Sequence, residues 1–170
     1  MTKPAALTTN QRNIMLRIKH INEEGTELDL IRDLFREYEK ELDENICFQK
    51  FDEELKDPLK KYGPPAGDLL LAYWNDQAAG CIALSNLISD GICEMKRLYV
   101  RPVFRKNKIG KSLIENLIAS AKSKGYSRMR LDSLTKLESA IRLYQEFGFK
   151  NISAYYDNPL AGVVYMQKEL

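Results

Sequence analysis

The chain has 170 residues, 44% hydrophobic and 29% charged, which is enough apolar material for one domain with a substantial core. A formal net charge of +2 is too small to argue for nucleic acid, because outside one central stretch the basic residues are interleaved with acidic ones. Cys47, Cys81 and Cys93 lack Cys-x-x-Cys spacing and His20 is the only histidine, so a disulfide scaffold, a metal site and a His-based triad lose their raw material; reduced, buried thiols are the default.

Residues 1–12 are polar and read as a flexible N-terminus without an apolar signal-like stretch, and no apolar run is long enough to span a bilayer. A cytoplasmic protein without membrane contacts, with one domain over residues 13–170, is the expectation. From Ile14 a strand runs to His20, alternating apolar and polar from Leu16, with His20 as a strand-end surface residue. Leu28, Ile31, Phe35, Tyr38 and Leu42 recur at helical spacing, which predicts an amphipathic helix over 27–43 with Thr26 as N-cap. A second helix is predicted over 51–61, broken by the loop Tyr62-Gly63-Pro64-Pro65-Ala66-Gly67.

Leu69 to Trp74 and Ala78 to Leu84 read as buried strands joined by a tight turn at Asn75-Asp76, an antiparallel hairpin. Gly91 opens a further strand, Ile92 to Val100. After the break at Arg101-Pro102 comes a basic turn, Arg105 to Lys111, then a helix with Ile109, Leu113, Leu117 and Ala121 on one stripe, stopped by Gly125. Seven residues between Lys96 and Lys111 are Lys or Arg and none is acidic, so positive charge gathers where helix amides are still unpaired, an arrangement suited to pyrophosphate. Met129 to Asp132 is a short strand, Leu137 to Phe147 a helix ending at Gly148, and Phe149 to Ile152 and Gly162 to Met166 are final strands around the turn-rich Tyr155 to Pro159.

Strands before the middle pair locally, whereas Ile92 to Val100 and Met129 to Asp132 are joined through a helix. The prediction is an α/β fold: a mixed, mostly antiparallel sheet with a central parallel strand pair and helices on both faces.

Two motifs carry a family resemblance. Arg105, Ile109, Gly110 and Leu113 are similar to the Arg/Gln-x-x-Gly-x-Gly/Ala cofactor turn of the GNAT superfamily of N-acetyltransferases, with Lys106 and Lys108 where its first two glycines often stand. About 30 residues on, Ala140 to Phe149 resembles the family's Ala-x-x-apolar-Tyr-x-x-x-Gly-Phe helix; Leu137 stands where many members have Asn. The predicted element order is also the GNAT order.

The resemblance implies direct transfer of acetyl from acetyl-CoA to a bound amine, without a covalent acyl-enzyme and without a metal. By it, Leu98 polarises the thioester carbonyl through its N–H, Val100 pairs with the pantetheine arm, and Arg105, Lys106, Lys108, Gly110 and Lys111, with Arg101 nearby, face the phosphates. Glu94 stands at the general-base position, and strict alternation puts it on the face of Leu98 and Val100; Asp132 or water is the reserve, and a carboxylate paired with Lys96 is the structural alternative. Tyr144 is the expected acid for the leaving thiolate. A positive φ at Lys106 and Lys108 would add roughly 1 kcal/mol of strain each, unless Asn107 absorbs the turn. Tyr38, Phe48, Tyr62, Tyr155 and Tyr156 are candidates to line the acceptor pocket, and Glu37, Glu41, Asp43 and Glu44 to attract a cationic amine.

The expected function is N-acetyl transfer to a primary amine of a small molecule or peptide, in a protein that allows a homodimer. The alternative is a non-catalytic CoA-thioester-binding module or a basic-turn protein that binds nucleic acid.

Overall fold

A computed structural model of the chain describes residues 15–87 and 90–170, with Phe48 described by its backbone alone. The expectations for residues 1–12, for Ile14 and for the Phe48 side chain lie outside the described residues.

Strand β1 covers Leu16–His20, where the alternation begins. Helix α1, Thr26–Leu42, buries Leu28, Ile31, Leu34, Phe35 and Leu42 along one stripe. Thr26 is its first residue rather than its cap: Gly25 at φ 152° precedes it and no side chain caps the end. The single helix expected over 51–61 is two, α2 (Phe51–Lys56) and α3 (Pro58–Tyr62). Pro58 forces the residue before it out of helical geometry, so Asp57 is at φ −142°, ψ 81°, where its side chain accepts from the Lys60 amide and caps α3.

Strands β2 (Asp68–Trp74) and β3 (Gln77–Asn86) form the expected hairpin. Asn75 and Asp76 both take positive φ, 48° and 63°, the mirror-image turn that matches strand twist. Next come β4 (Ile92–Val100), α4 (Ile109–Ser123), β5 (Arg128–Leu134), α5 (Glu138–Glu146), β6 (Lys150–Ile152) and β7 (Val163–Glu169). Both β5 and β7 outrun their apolar cores because they pair along their full length, from Arg128↔Glu169 to Leu134↔Val163.

The sheet has seven strands in the order β1-β2-β3-β4-β5-β7-β6, antiparallel except for β4 with β5. On one face Leu28, Ile31, Phe35, Phe51 and Tyr62 of the first three helices pack on Leu69, Leu71, Cys81 and Tyr99. On the other, Ile109, Leu113, Leu117 and Tyr144 of α4 and α5 pack on Leu70, Ile82, Met95 and Leu131. The fold is therefore α/β with helices on both faces, as expected. Among the described residues no helix is long and apolar enough to cross a membrane. Cys81 and Cys93 are buried as expected, and burial pushes the Cys93 thiol up to about 12, but Cys47 is exposed on the turn after α1. His20 does sit at the surface, its Nδ1 2.9 Å from Asp68.

Candidate functional site

The site begins where the parallel pair ends. Strands β4 and β5 are in register only from Ile92↔Arg128 to Glu94↔Arg130, yet β4 continues to Val100 and β5 to Leu134. The Arg101 amide donates to the Ala79 carbonyl at 2.8 Å, and Tyr99 lies opposite Cys81. Hydrogen-bonded and non-hydrogen-bonded positions alternate in an antiparallel ladder, so Leu98 and Val100 turn their amides away from β3 and into the opening left by β5.

Within β4 the alternation fails at one point. Lys96 lies opposite Ala83 and Tyr99 opposite Cys81, so Arg97 and Leu98 together face Ile82 across a β-bulge, with Arg97 at φ 59°. This corrects the expected geometry of the base. Met95, Leu98 and Val100 pack on the α4 side, whereas Glu94, Lys96 and Arg97 reach Tyr155, Asp132 and Glu54 on the α1 side. Glu94 does not share a face with Leu98 and Val100.

The basic turn leads into α4 at its N-terminus. Lys106 and Lys108 are left-handed, φ 69° and 58°, so the strain falls on the two lysines and not on Asn107, whose amide nitrogen donates to the Phe104 carbonyl at 2.9 Å. No side chain caps α4, and its first backbone bond within the helix is Ser112 N–H to Lys108 O. The amides of Ile109, Gly110 and Lys111 therefore lack intrahelical partners at the positive end of a 15-residue helix. A Cβ on Gly110 would stand 3.6 Å from Leu143 and 3.8 Å from Val100, both ordinary contact distances. The arginines are committed: Arg105 Nη2 binds Glu41 at 2.6 and 2.8 Å while its Nε donates to the Val100 carbonyl at 2.9 Å, and Arg101 binds Glu37 at 2.8 Å. Glu37 and Glu41 are thus occupied by arginines, and Glu44 by Lys136 at 2.7 Å, instead of standing ready for a cationic substrate. Lys106, Lys108 and Lys111 have no carboxylate partner among the described residues.

A cleft with about 70 Å³ of room for water passes through the β4–β5 opening. On the α4 side it is lined by Met95, Leu98, Leu131, Ala140 and Tyr144. Tyr144 is 8% exposed, packs edge-on to Phe149 at 6.1 Å, and makes no side-chain hydrogen bond among the described residues. Burial, reinforced by Tyr38 and Asp132, pushes its hydroxyl pKa up, so it stays protonated at any ordinary pH.

On the α1 side the polar residues form one network. Lys96 Nζ lies 3.4 Å from Glu94 and 3.2 Å from Asp132. Tyr155 O–H donates to Glu94 at 2.6 Å, and Tyr156 O–H and Asn158 donate to Asp132 at 2.8 and 3.2 Å. Arg97 grips both oxygens of Glu54 at 3.0 Å and Gln49 at the same distance. Burial would raise the Glu54 carboxyl, but Arg97 and then Lys61 outweigh it and hold its pKa below the ordinary value. Of the aromatics expected in the pocket, Tyr38 lines the cleft, Tyr155 and Tyr156 bind its carboxylates, and Tyr62 is core at 0% exposure. Asp132 lines the cleft, whereas Glu94 sits behind Lys96 and Tyr155. Sequence reasoning missed Gln49, Glu54, Arg97 and Asn158; adjacent Lys96 and Arg97 inside a buried strand were the signal, since strict alternation would turn one cation into the apolar core on each face of the sheet.

Comparison with known proteins agrees with this architecture. The acetyltransferase (GNAT) family model matches residues 28–149. An N-acetyltransferase of Schizosaccharomyces pombe is 45% identical over 145 residues, spanning 85% of this chain and 89% of that protein. An acetyltransferase from Streptococcus agalactiae shares the fold with a TM-score of 0.75 at 24% identity, over 91% of this chain and 98% of that one. An acetyltransferase from Bacillus subtilis, solved in complex with CoA, has a TM-score of 0.64 at 22% identity, over 92% and 99%. The chain belongs to the GNAT family of acyl-CoA-dependent acetyltransferases.

Proposed function

We propose that the chain transfers acetyl from acetyl-CoA directly to a primary amine held on the far side of the β4–β5 opening. The observation that carries this reading is the pair of strand amides, Leu98 and Val100, turned into a gap that has Tyr144 on one side and unpaired α4 amides beyond it. Pantetheine takes the place of the missing strand by bonding to Val100. The α4 amides, Lys106, Lys108 and Lys111 meet the phosphates. Arg105 joins them only by leaving Glu41.

In the ternary complex the amine nitrogen attacks the thioester carbon, and the carbonyl oxygen takes up negative charge against the Leu98 N–H; one such donor is typically worth about 10²–10³ in rate. Collapse breaks the C–S bond, and the thiolate takes its proton from Tyr144; the second proton that the nitrogen sheds as the amide forms passes to water, which reprotonates the Tyr144 phenolate. The proton that the ammonium must lose before attack goes to Asp132, the carboxylate that lines the cleft. Glu94 acts behind it by holding Lys96 and Tyr155. Free-thiol release from acetyl-CoA on addition of a panel of amines tests the reading; no release with any amine would count against it.

A further inference from the structure

The half of the cleft opposite Leu98 and Tyr144 has two unlike walls. One is apolar: Tyr38, Leu42, Ile46, Leu134, Leu137 and Leu160 all belong to the α1-side core or pack against it. The other is polar but already satisfied. Of its cations, Arg97 is matched by Glu54, which Lys61 also binds, and Lys96 by Glu94 and Asp132, so among the described residues neither cation of this wall is left unpaired. Lys96 and Arg97 are 9% and 5% exposed. Neither can turn to a new anion without abandoning a buried carboxylate.

We propose that the acceptor is a primary amine on an apolar body, an alkylamine or arylalkylamine without a carboxylate; this rests on the acetyl-transfer reading above. The amino group sits at the Asp132 end, next to the opening, and the body lies on the leucine wall, where leaving water favours it. An α-amino acid would bring a carboxylate to a wall with no spare cation. A polyamine would press a second ammonium against leucines. Both carry a desolvation cost that an apolar amine avoids.

The test compares phenethylamine, phenylalanine and spermidine by kcat/KM, after calorimetry has established acetyl-CoA binding to the same protein. Phenethylamine is expected to exceed the other two by on the order of a hundredfold. Leu160→Arg, which adds a cation to the apolar wall, should shrink the preference over phenylalanine by about tenfold without changing acetyl-CoA affinity. Should that variant fail to fold, Leu160→Ala serves: KM for phenethylamine should rise with kcat unchanged, as for lost uniform binding. Phenylalanine or spermidine used as well as phenethylamine, or no transfer to phenethylamine by protein that binds acetyl-CoA, would overturn the acceptor class alone. Absence of acetyl-CoA binding would overturn the acetyl-transfer reading and this inference with it.

Discussion

Glu94 and Arg130 form the last register pair between β4 and β5; beyond them β4 pairs only with β3 and β5 only with β7, which leaves an opening between the two strands. The amides of Leu98 and Val100 point into that opening, while Arg101 and Tyr99 turn toward β3. Hydrogen exchange should therefore respond to CoA in alternation. The Leu98 and Val100 amides are expected to gain protection on binding, and those of Tyr99 and Arg101 to stay nearly unchanged. Uniform protection along β4, or none, would remove the strand-like pantetheine contact.

The pairing of Arg105 with Glu41 makes the carboxylate a competitor of the cofactor's phosphates for the arginine. Glu41→Gln should release it and tighten acetyl-CoA binding by about two- to fivefold, the value of a half-exposed ion pair. Lys111→Ala should weaken binding with little effect on kcat, because phosphate contacts act on ground and transition states alike. Calorimetry checks both; weaker binding by Glu41→Gln would show that the pair positions the turn instead.

Glu54 anchors the buried network. Its folded-state pKa is lowered, so the native state binds fewer protons than the unfolded chain; the stabilisation is present above the ordinary carboxylate range and is lost as pH falls through the folded value. Melts in acid should therefore fall more steeply below about pH 4.5 for wild type than for Glu54→Gln. At neutral pH that substitution leaves Arg97 buried without its counter-charge and should cost about 3–5 kcal/mol. A loss of less than about 1 kcal/mol would mean that water replaces the carboxylate.

Asp132 and Glu94 are separated by their pH profiles. Asp132→Asn should lower the rate and flatten the acidic limb of kcat/KM, whereas Glu94→Gln should lower the rate with the limb kept. The reverse pattern would return the base to Glu94, and two unchanged profiles would assign the proton to water.

Much of this was legible in the residues. Helical spacing at Leu28, Ile31 and Phe35, the Asn75-Asp76 turn and the Tyr144 to Gly148 motif located α1, the β2–β3 hairpin and α5, because each follows from local periodicity or turn chemistry. The bulge at Arg97 was not legible. One left-handed residue in a strand leaves no mark on periodicity, yet it reverses the face of everything after it and separates Glu94 from Leu98. Nor could composition show that Glu37 and Glu41 are held by Arg101 and Arg105, since those pairs join residues 64 apart in sequence.

Tyr144 tests the leaving-group step. Tyr144→Phe keeps the ring against Phe149 and removes only the hydroxyl, so fold and acetyl-CoA affinity should survive while single-turnover transfer slows by roughly tenfold to a thousandfold, about 1 to 4 kcal/mol of barrier. A wild-type rate from folded, cofactor-saturated variant would leave Tyr144 as packing.

Direct transfer across the β4–β5 opening is measured most plainly by a single turnover followed by mass spectrometry. Protein is loaded with one equivalent of acetyl-CoA, mixed with an amine panel of phenethylamine, spermidine, lysine and a short peptide, quenched at intervals and weighed together with the products. The expected result is an acetylated amine that appears in step with free CoA while the protein mass stays unmodified throughout. A protein that gains an acetyl group before the amine does, or CoA released without any acetylated amine, would contradict direct transfer.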